Sequence, residues 1–189
     1  MTSSTSQWYA LQVQSRLGSV ASAVLRNKGY EEYLPVYRSR RRWSDRIKYI
    51  DLPLFPGYLF CRFDANDRLL PILTTPGVIG IIGAGKTPVP VDDEEIEAVR
   101  AILRSGLAAQ PCPFLTVGSR VYIEAGPLAG VEGIVTNTDK VYRLIVSVGL
   151  LQRSVAVEID REWARPISDR MGPRAVPLSE RTHFLARAG

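Results

Sequence analysis

Gly80-Ile-Ile-Gly-Ala-Gly85-Lys86-Thr87 has the G-x-x-x-x-G-K-T spacing of a phosphate-cradling loop, and it ends an apolar, strand-like run from Val78 to Ile82. That chemistry needs a helix opening at Gly-Lys-Thr, so that backbone N–H groups and the helix dipole face the phosphates. Pro88 and Pro90 follow at once, and Val89 is pushed toward extended geometry by the proline after it. The acids Asp92 to Glu95 come next and would repel phosphate, and the Asp that would hold a metal at the end of a second apolar strand is missing. The motif therefore reads as a strand ending in a glycine turn. Other catalytic chemistry is thin. His183 is the only histidine and lies near the C-terminus, so a Ser or Cys nucleophile has no base in the patterned part of the chain. No carboxylate pair stands out. Cys61 and Cys112 are too few for a zinc site or a disulfide framework, and Cys61 alternates with large apolar residues as a packing group would. The expectation is a protein that is not an enzyme, with no cofactor and no metal.

The charge points elsewhere. The segment Arg38 to Lys48 (RSRRRWSDRIK) holds six basic groups and one acid, Asp45, a net +5 that equals the charge of the whole chain. The remainder sums to zero. Arg38, Arg40, Arg41, Arg42, Arg46 and Lys48 can match phosphate oxygens, and Trp43 among them can stack on a base. The same residues also suit a solvated loop that keeps the protein soluble, with Trp43 packed at a hairpin base.

These residues must be positioned by a chain of 189 residues, room for one ordinary domain or two small ones. At 46% hydrophobic and 23% charged it is not a wholly disordered chain. No apolar run approaches the roughly 20 residues of a membrane span. The stretch Met1 to Gln7 lacks the basic start and apolar core of a secretory signal, and the use of only two cysteines fits a reducing cytoplasm, where the protein is expected. Trp8 to Gln14 alternates as a strand, and Leu17, Val20, Val24 and Leu25 follow at helical spacing up to Gly29. Tyr30 to Tyr37 is extended and leads into the basic arm. A proline-marked entry at Leu52 to Pro56 precedes a strand to Phe63. A short helix limited by Pro71 ends near Leu73, and Val78 to Ile82 is a strand. Asp92 opens an acidic first turn, after which Ile96, Val99 and Leu103 share a helix face that ends near Gly106. Helices interleaved with strands predict an α+β sheet. Residues 109–116, with two prolines and no charge, read as a flexible linker. From 117 to 167 the period is two throughout, with glycine punctuation, which predicts five short strands in a small β-barrel. Residues 168–189 read as a mobile tail.

Three motifs then converge: Trp8-Tyr9-Ala10 at the first strand, Phe55-Pro56-Gly57-Tyr58-Leu59-Phe60 at the third, and Val117-Gly118-Ser119-Arg120-Val121 followed by Gly126-Pro127-Leu128-Ala129-Gly130-Val131-Glu132-Gly133. In this order the chain resembles the NusG family over residues 7–167. Trp43-Ser44-Asp45-Arg46-Ile47-Lys48 before Pro53-Leu54-Phe55-Pro56-Gly57-Tyr58 looks like the specialised RfaH and UpxY-type paralogs. The resemblance implies a ferredoxin-like NGN domain at 7–108, with an antiparallel sheet and helices, followed by an SH3-like KOW barrel at 117–167. It implies a transcription elongation or antitermination factor whose NGN domain docks on the clamp helices of RNA polymerase, contacts the non-template DNA strand, and suppresses pausing or termination. The KOW domain, carrying Gly126, Pro127, Leu128, Gly130 and Gly133, would recruit a ribosomal protein or a termination factor, through the loops Glu124 to Gly130 and Thr136 to Tyr142 if these are more than plain turns. A monomer is expected.

Residue periodicity bears on that docking. Tyr58 and Phe60 point to one face of their strand, while Leu59, Cys61 and Phe63 point to the other. Trp8, Ala10 and Gln12 share a face of the first strand. One face must carry the domain's helices. The other, extended by Phe55 and Pro56, is either an exposed aromatic patch for a partner helix or a surface completed by the chain's own second domain or core. Arg16 matches a basic position near the DNA surface of the family. Two departures are visible: Leu52 stands where RfaH has the acid that ties its domains together, and Arg68-Leu69-Leu70 replaces the family's polar contact near the second helix. The Val, Ile and Gly content of 117–167 predicts a constitutive β fold rather than a refolding α-hairpin. The rival reading is a ribosome- or RNA-associated KOW protein.

Overall fold

A computed structural model of the chain describes residues 6–42, 46–67, 69–114, 118–138 and 141–167. Its elements, in chain order, are β1 (Gln7–Val13), α1 (Gly18–Asn27), β2 (Glu31–Tyr33), β3 (Val36–Arg42), β4 (Ile47–Pro53), β5 (Tyr58–Phe63), α2 (Leu70–Leu73), β6 (Val78–Ile81), β7 (Gly83–Ala84), β8 (Thr87–Pro88), β9 (Pro90–Val91) and α3 (Asp93–Arg104). They continue with β10 (Ala109–Pro113), β11 (Ser119–Ile123), β12 (Glu132–Thr138), β13 (Val141–Val148), β14 (Arg153–Glu158) and β15 (Ala164–Pro166). It is a mixed fold of three helices and antiparallel sheets.

The first sheet runs β2-β5-β1-β6, with β9 also pairing with β1. Its register places Trp8 opposite Arg62, Ala10 opposite Phe60 and Gln12 opposite Tyr58. Period-two alternation therefore sorts the residues into two faces, as the sequence predicts. Tyr9, Leu11, Val13, Leu59, Cys61 and Phe63 pack with Ala21 and Leu25 of α1 and Ile72 of α2. The opposite face takes α3. Asp92 in extended geometry opens that helix, three acids fill its first turn, and Ile96, Val99 and Ile102 form its buried stripe. On the first of these faces, α1 stops at Gly29, whose φ of +86° suits glycine. The N–H of Tyr30 closes that turn on the carbonyl of Leu25 at 3.1 Å.

β3 and β4 form a separate two-stranded ribbon, from Val36 opposite Pro53 to Arg42 opposite Ile47. The phosphate-loop motif folds as another hairpin. Gly83 pairs with Pro88 and Ala84 with Thr87, so Gly85 and Lys86 are its turn and no helix starts there.

The second sheet has the order β10-β14-β13-β12-β11-β15. Two expectations change here. Residues 109–116 are not simply a linker, because Ala109–Pro113 is an edge strand paired with β14, Ala109 opposite Val157. Pro111 and Pro113 are tolerated there because an edge strand has one side free of ladder bonds. The strands also follow one open path, with no β10–β15 pairing among the described residues that would close a barrel. The strand expectation for 117–167 holds, and no helix longer than one 3-10 turn occurs among the described residues there. The expected tail at 168–189 lies outside the described residues.

Candidate functional site

Two surfaces concern function: the α3-side face of the first sheet, and the basic ribbon. The rows of the face follow from pairing. Val91, Trp8, Arg62 and Glu31 make one row; Ala10, Phe60 and Tyr33 the next; Gly80, Gln12 and Tyr58 the third. The expected assembly of Trp8, Ala10, Gln12, Tyr58 and Phe60 on one face is therefore present.

Its expected exposure is not. Trp8 is 2% exposed, Ala10 0%, Phe55 1% and Phe60 0%. Phe55 meets Phe60 edge to face at 5.9 Å, and Tyr33 stacks on Phe60 at 6.3 Å. Arg100 of α3 lies 4.8 Å over the Trp8 ring and 4.9 Å over Tyr33, and ion-pairs with Glu31 at 3.3 Å. The reason for the burial is twofold. The stripe Ile96, Val99 and Ile102 covers the rings, and Val121, Ile123, Leu144 and Val148 of the second sheet, with Leu128 of the turn between β11 and β12, join the same apolar cluster. Burial of such side chains is worth about 1.5–3 kcal/mol each, so a face this apolar does not stay open when a cover is available in the same chain. The third row remains accessible, as does Glu31 at the end of the first. Gln12 and Pro56 are exposed and Tyr58 is half-buried.

The cover is fastened by a polar contact that periodicity cannot reveal. The N–H of Gly149 donates to Glu95 Oε1 at 3.0 Å. Burial pushes the Glu95 carboxyl above its ordinary range, Asp92 pushes the same way, and the Gly149 N–H opposes them. A Cβ at Gly149 would stand 3.3 Å from that oxygen. Leu52, the position where a tying acid was looked for, is half-buried in the ribbon opposite Tyr37.

The ribbon has two unlike faces. Cross-strand partners share a face, so Val36, Arg38, Arg40 and Arg42 lie with Asp51, Tyr49 and Ile47, while Tyr37 and Ser39 lie with Leu52 and Ile50. The first set is exposed and the second half-buried, with Tyr37 packed against the main cluster. Arg46 and Lys48 are also exposed. Arg41 lies in β3 at the register of Lys48. Trp43 falls outside the described residues. Arg16 is exposed in the turn between β1 and α1, apart from the ribbon in sequence.

The glycine-rich motif of the second sheet has structural reasons. Gly126 has φ +77°, and a Cβ there would lie 2.7 Å from the Trp163 ring. Gly133 would drive a Cβ to 2.6 Å from the Ile145 carbonyl oxygen. Gly130 has φ +92°. Leu128 is buried in the shared cluster, while Pro127 is exposed. Among the described residues there is no group of His, Cys, Asp and Glu placed to hold a metal, and no helix long and apolar enough to cross a membrane. The Cys61 thiol is pushed up to about 12 by burial, which suits the packing role read from sequence.

The family profile described as "Transcription termination factor nusG" matches residues 6–100. The transcription termination/antitermination protein NusG of Escherichia coli K12 is 31% identical over 134 residues, covering 69% of this chain and 71% of its own. That of Vibrio vulnificus is 29% identical over 173 residues, 82% of this chain and 92% of its own. Among solved structures, Thermotoga maritima NusG, studied for its domain interaction, superposes with a TM-score of 0.54 at 21% identity, covering 86% of this chain and 98% of that one. The profile spans the first sheet with its ribbon and most of α3, and the bacterial relatives extend beyond it: the chain belongs to the NusG family of transcription termination/antitermination factors.

Proposed function

We propose that this protein is a non-enzymatic transcription elongation or antitermination factor of the specialised RfaH and UpxY type, acting as a cytoplasmic monomer through binding energy alone. Residues 7–108 serve as the NGN unit, and 117–167 as a KOW unit with an SH3-like curl. The clamp helices of RNA polymerase lie against the open end of the α3-side face, on Gln12, Pro56 and Tyr58. Phe55, Phe60, Trp8 and Ala10 hold that edge rigid from beneath. Deeper contact with those rings requires the second sheet to leave α3. Arg16 and the basic arm contact phosphates of the non-template strand, and the KOW unit meets a ribosomal protein or a termination factor. The observation that carries this reading is the coincidence of the family match over 6–100 with the unit that holds both the aromatic face and the ribbon.

Burial of most of the face favours a second reading, a ribosome- or RNA-associated KOW protein, because such a protein needs no open helix-binding surface. Transcription in vitro separates the two. Added to elongating core polymerase, the wild-type chain should change pausing or read-through, and Tyr58→Ala should reduce that effect. A wild-type chain with no effect on elongation that co-sediments with ribosomes would support the second reading.

A further inference from the structure

Resting on the reading in which the second sheet must leave α3 before polymerase reaches the deeper rings, we propose that Glu95 is a proton-linked latch on that sheet. Seating the sheet takes up a proton from solvent at the Glu95 carboxyl, so the closed form gains on the open one as pH falls. The latch lies where the two units meet. α3 touches β13 and the 3-10 turn Gly126–Leu128, and the two sheets share no ladder among the described residues. Arg100, Arg143 and Arg165 each form their ion pairs within their own unit. The seam is packed with apolar side chains, and the 3.0 Å hydrogen bond from the Gly149 N–H to Glu95 Oε1 crosses it.

Two partners compete for this carboxyl. Glu95 is the third residue of α3 after the N-cap Asp92. From that position a glutamate ordinarily reaches back to the N-cap N–H and closes a capping box. Here it reaches instead to a glycine 54 residues away. When the second sheet leaves, Glu95 can return to its own helix start, in water and beside the positive end of the dipole, where the ionised form is favoured. When the sheet seats, the carboxyl is half-buried against the turn Gly149–Leu151, and burial penalises the charge. The Gly149 N–H opposes that penalty and Asp92 adds to it. Neither that turn nor the turn Gly126–Leu128 carries an ionisable side chain. On β13, Tyr142 and Arg143 lie at the end away from Gly149, with Arg143 paired to Glu158. Arg153, beyond the turn, is exposed. On α3 itself, Asp93 pairs with Arg62 of β5 at 3.5 Å and Glu97 with Arg100 at 2.7 Å, while Glu94 is exposed. No cation among the described residues acts on Glu95, so a proton is what neutralises it in the closed form.

Backbone amide relaxation by NMR on the full chain tests this. Seated units tumble together, whereas parted units tumble faster and separately. In wild type the two correlation times should converge from about pH 7 to about pH 5, the closed-to-open ratio rising several-fold, because each pKa unit between the forms is about tenfold in that ratio. The Gly149 amide shift should titrate in step. Glu95→Gln carries a neutral acceptor, so its units should stay together and its Gly149 shift stay flat across the same range. Amide dispersion within each unit verifies that both remain folded. Wild-type tumbling that is unchanged or looser in acid, or a Glu95→Gln chain that follows the wild-type pH dependence, would overturn the proposal. Polymerase is absent from this assay, so such a failure leaves the polymerase reading to its own test.

Discussion

Glu95 ties α3 to the turn after β13 through one hydrogen bond, and its chemistry makes that contact testable. Its folded pKa is raised, chiefly by burial. A carboxyl raised on folding contributes stability that is fully present below its unfolded pKa and lost as pH rises through the folded value. Ionising this carboxyl therefore costs the folded chain stability. Glu95→Gln keeps an acceptor for the Gly149 N–H, so it should melt at or above the wild-type temperature near neutral pH and lose that advantage in acid. Glu95→Ala leaves the N–H unpaired in a part-buried contact and should cost about 1–3 kcal/mol. Thermal melts across the acidic range check both. Glu95 was visible in the sequence only as one of four consecutive acids at a helix start. Nothing there shows that it bonds a glycine 54 residues away, because that depends on how the second sheet seats on α3.

At the scale of elements, period two in β1 and β5 and the acidic start of α3 were legible because each is local: the backbone geometry acts within a few residues. What covers a face is not local. Phe60 looks the same in sequence whether α3 and the second sheet lie over it or a partner does. Its burial now sets apart two residues expected to act alike. Phe60→Ala should destabilise by about 3–5 kcal/mol, as truncation of a fully buried aromatic does. Tyr58→Ala, at the half-open end of the same face, should cost distinctly less, and denaturant unfolding measures the difference. The strand at Ala109–Pro113 was hidden by its prolines, which argue for a linker until an edge position is known. In the second sheet, Gly126→Ala must place a side chain at φ +77° against the Trp163 ring. It should lower stability by at least about 1 kcal/mol while leaving the strand content in circular dichroism intact.

At the scale of the molecule, the aromatic face, the ribbon and the second sheet form a graded surface: closed at Trp8, half open at Tyr58, and charged along the outward side of β3–β4. The basic arm could be located from charge alone. Its polarity could not, because the side on which Arg38, Arg40 and Arg42 emerge depends on the register with β4. A chain that binds through the half-open edge should lose affinity when that edge is cut back, without losing its fold. The most direct measurement is capture of core RNA polymerase by the immobilised full chain, comparing wild type with Tyr58→Ala after both are shown to unfold cooperatively. The account predicts saturable capture by wild type and a loss of about tenfold or more in the variant, as for a central aromatic of an interface. Equal capture by both chains, or none by wild type, would contradict it.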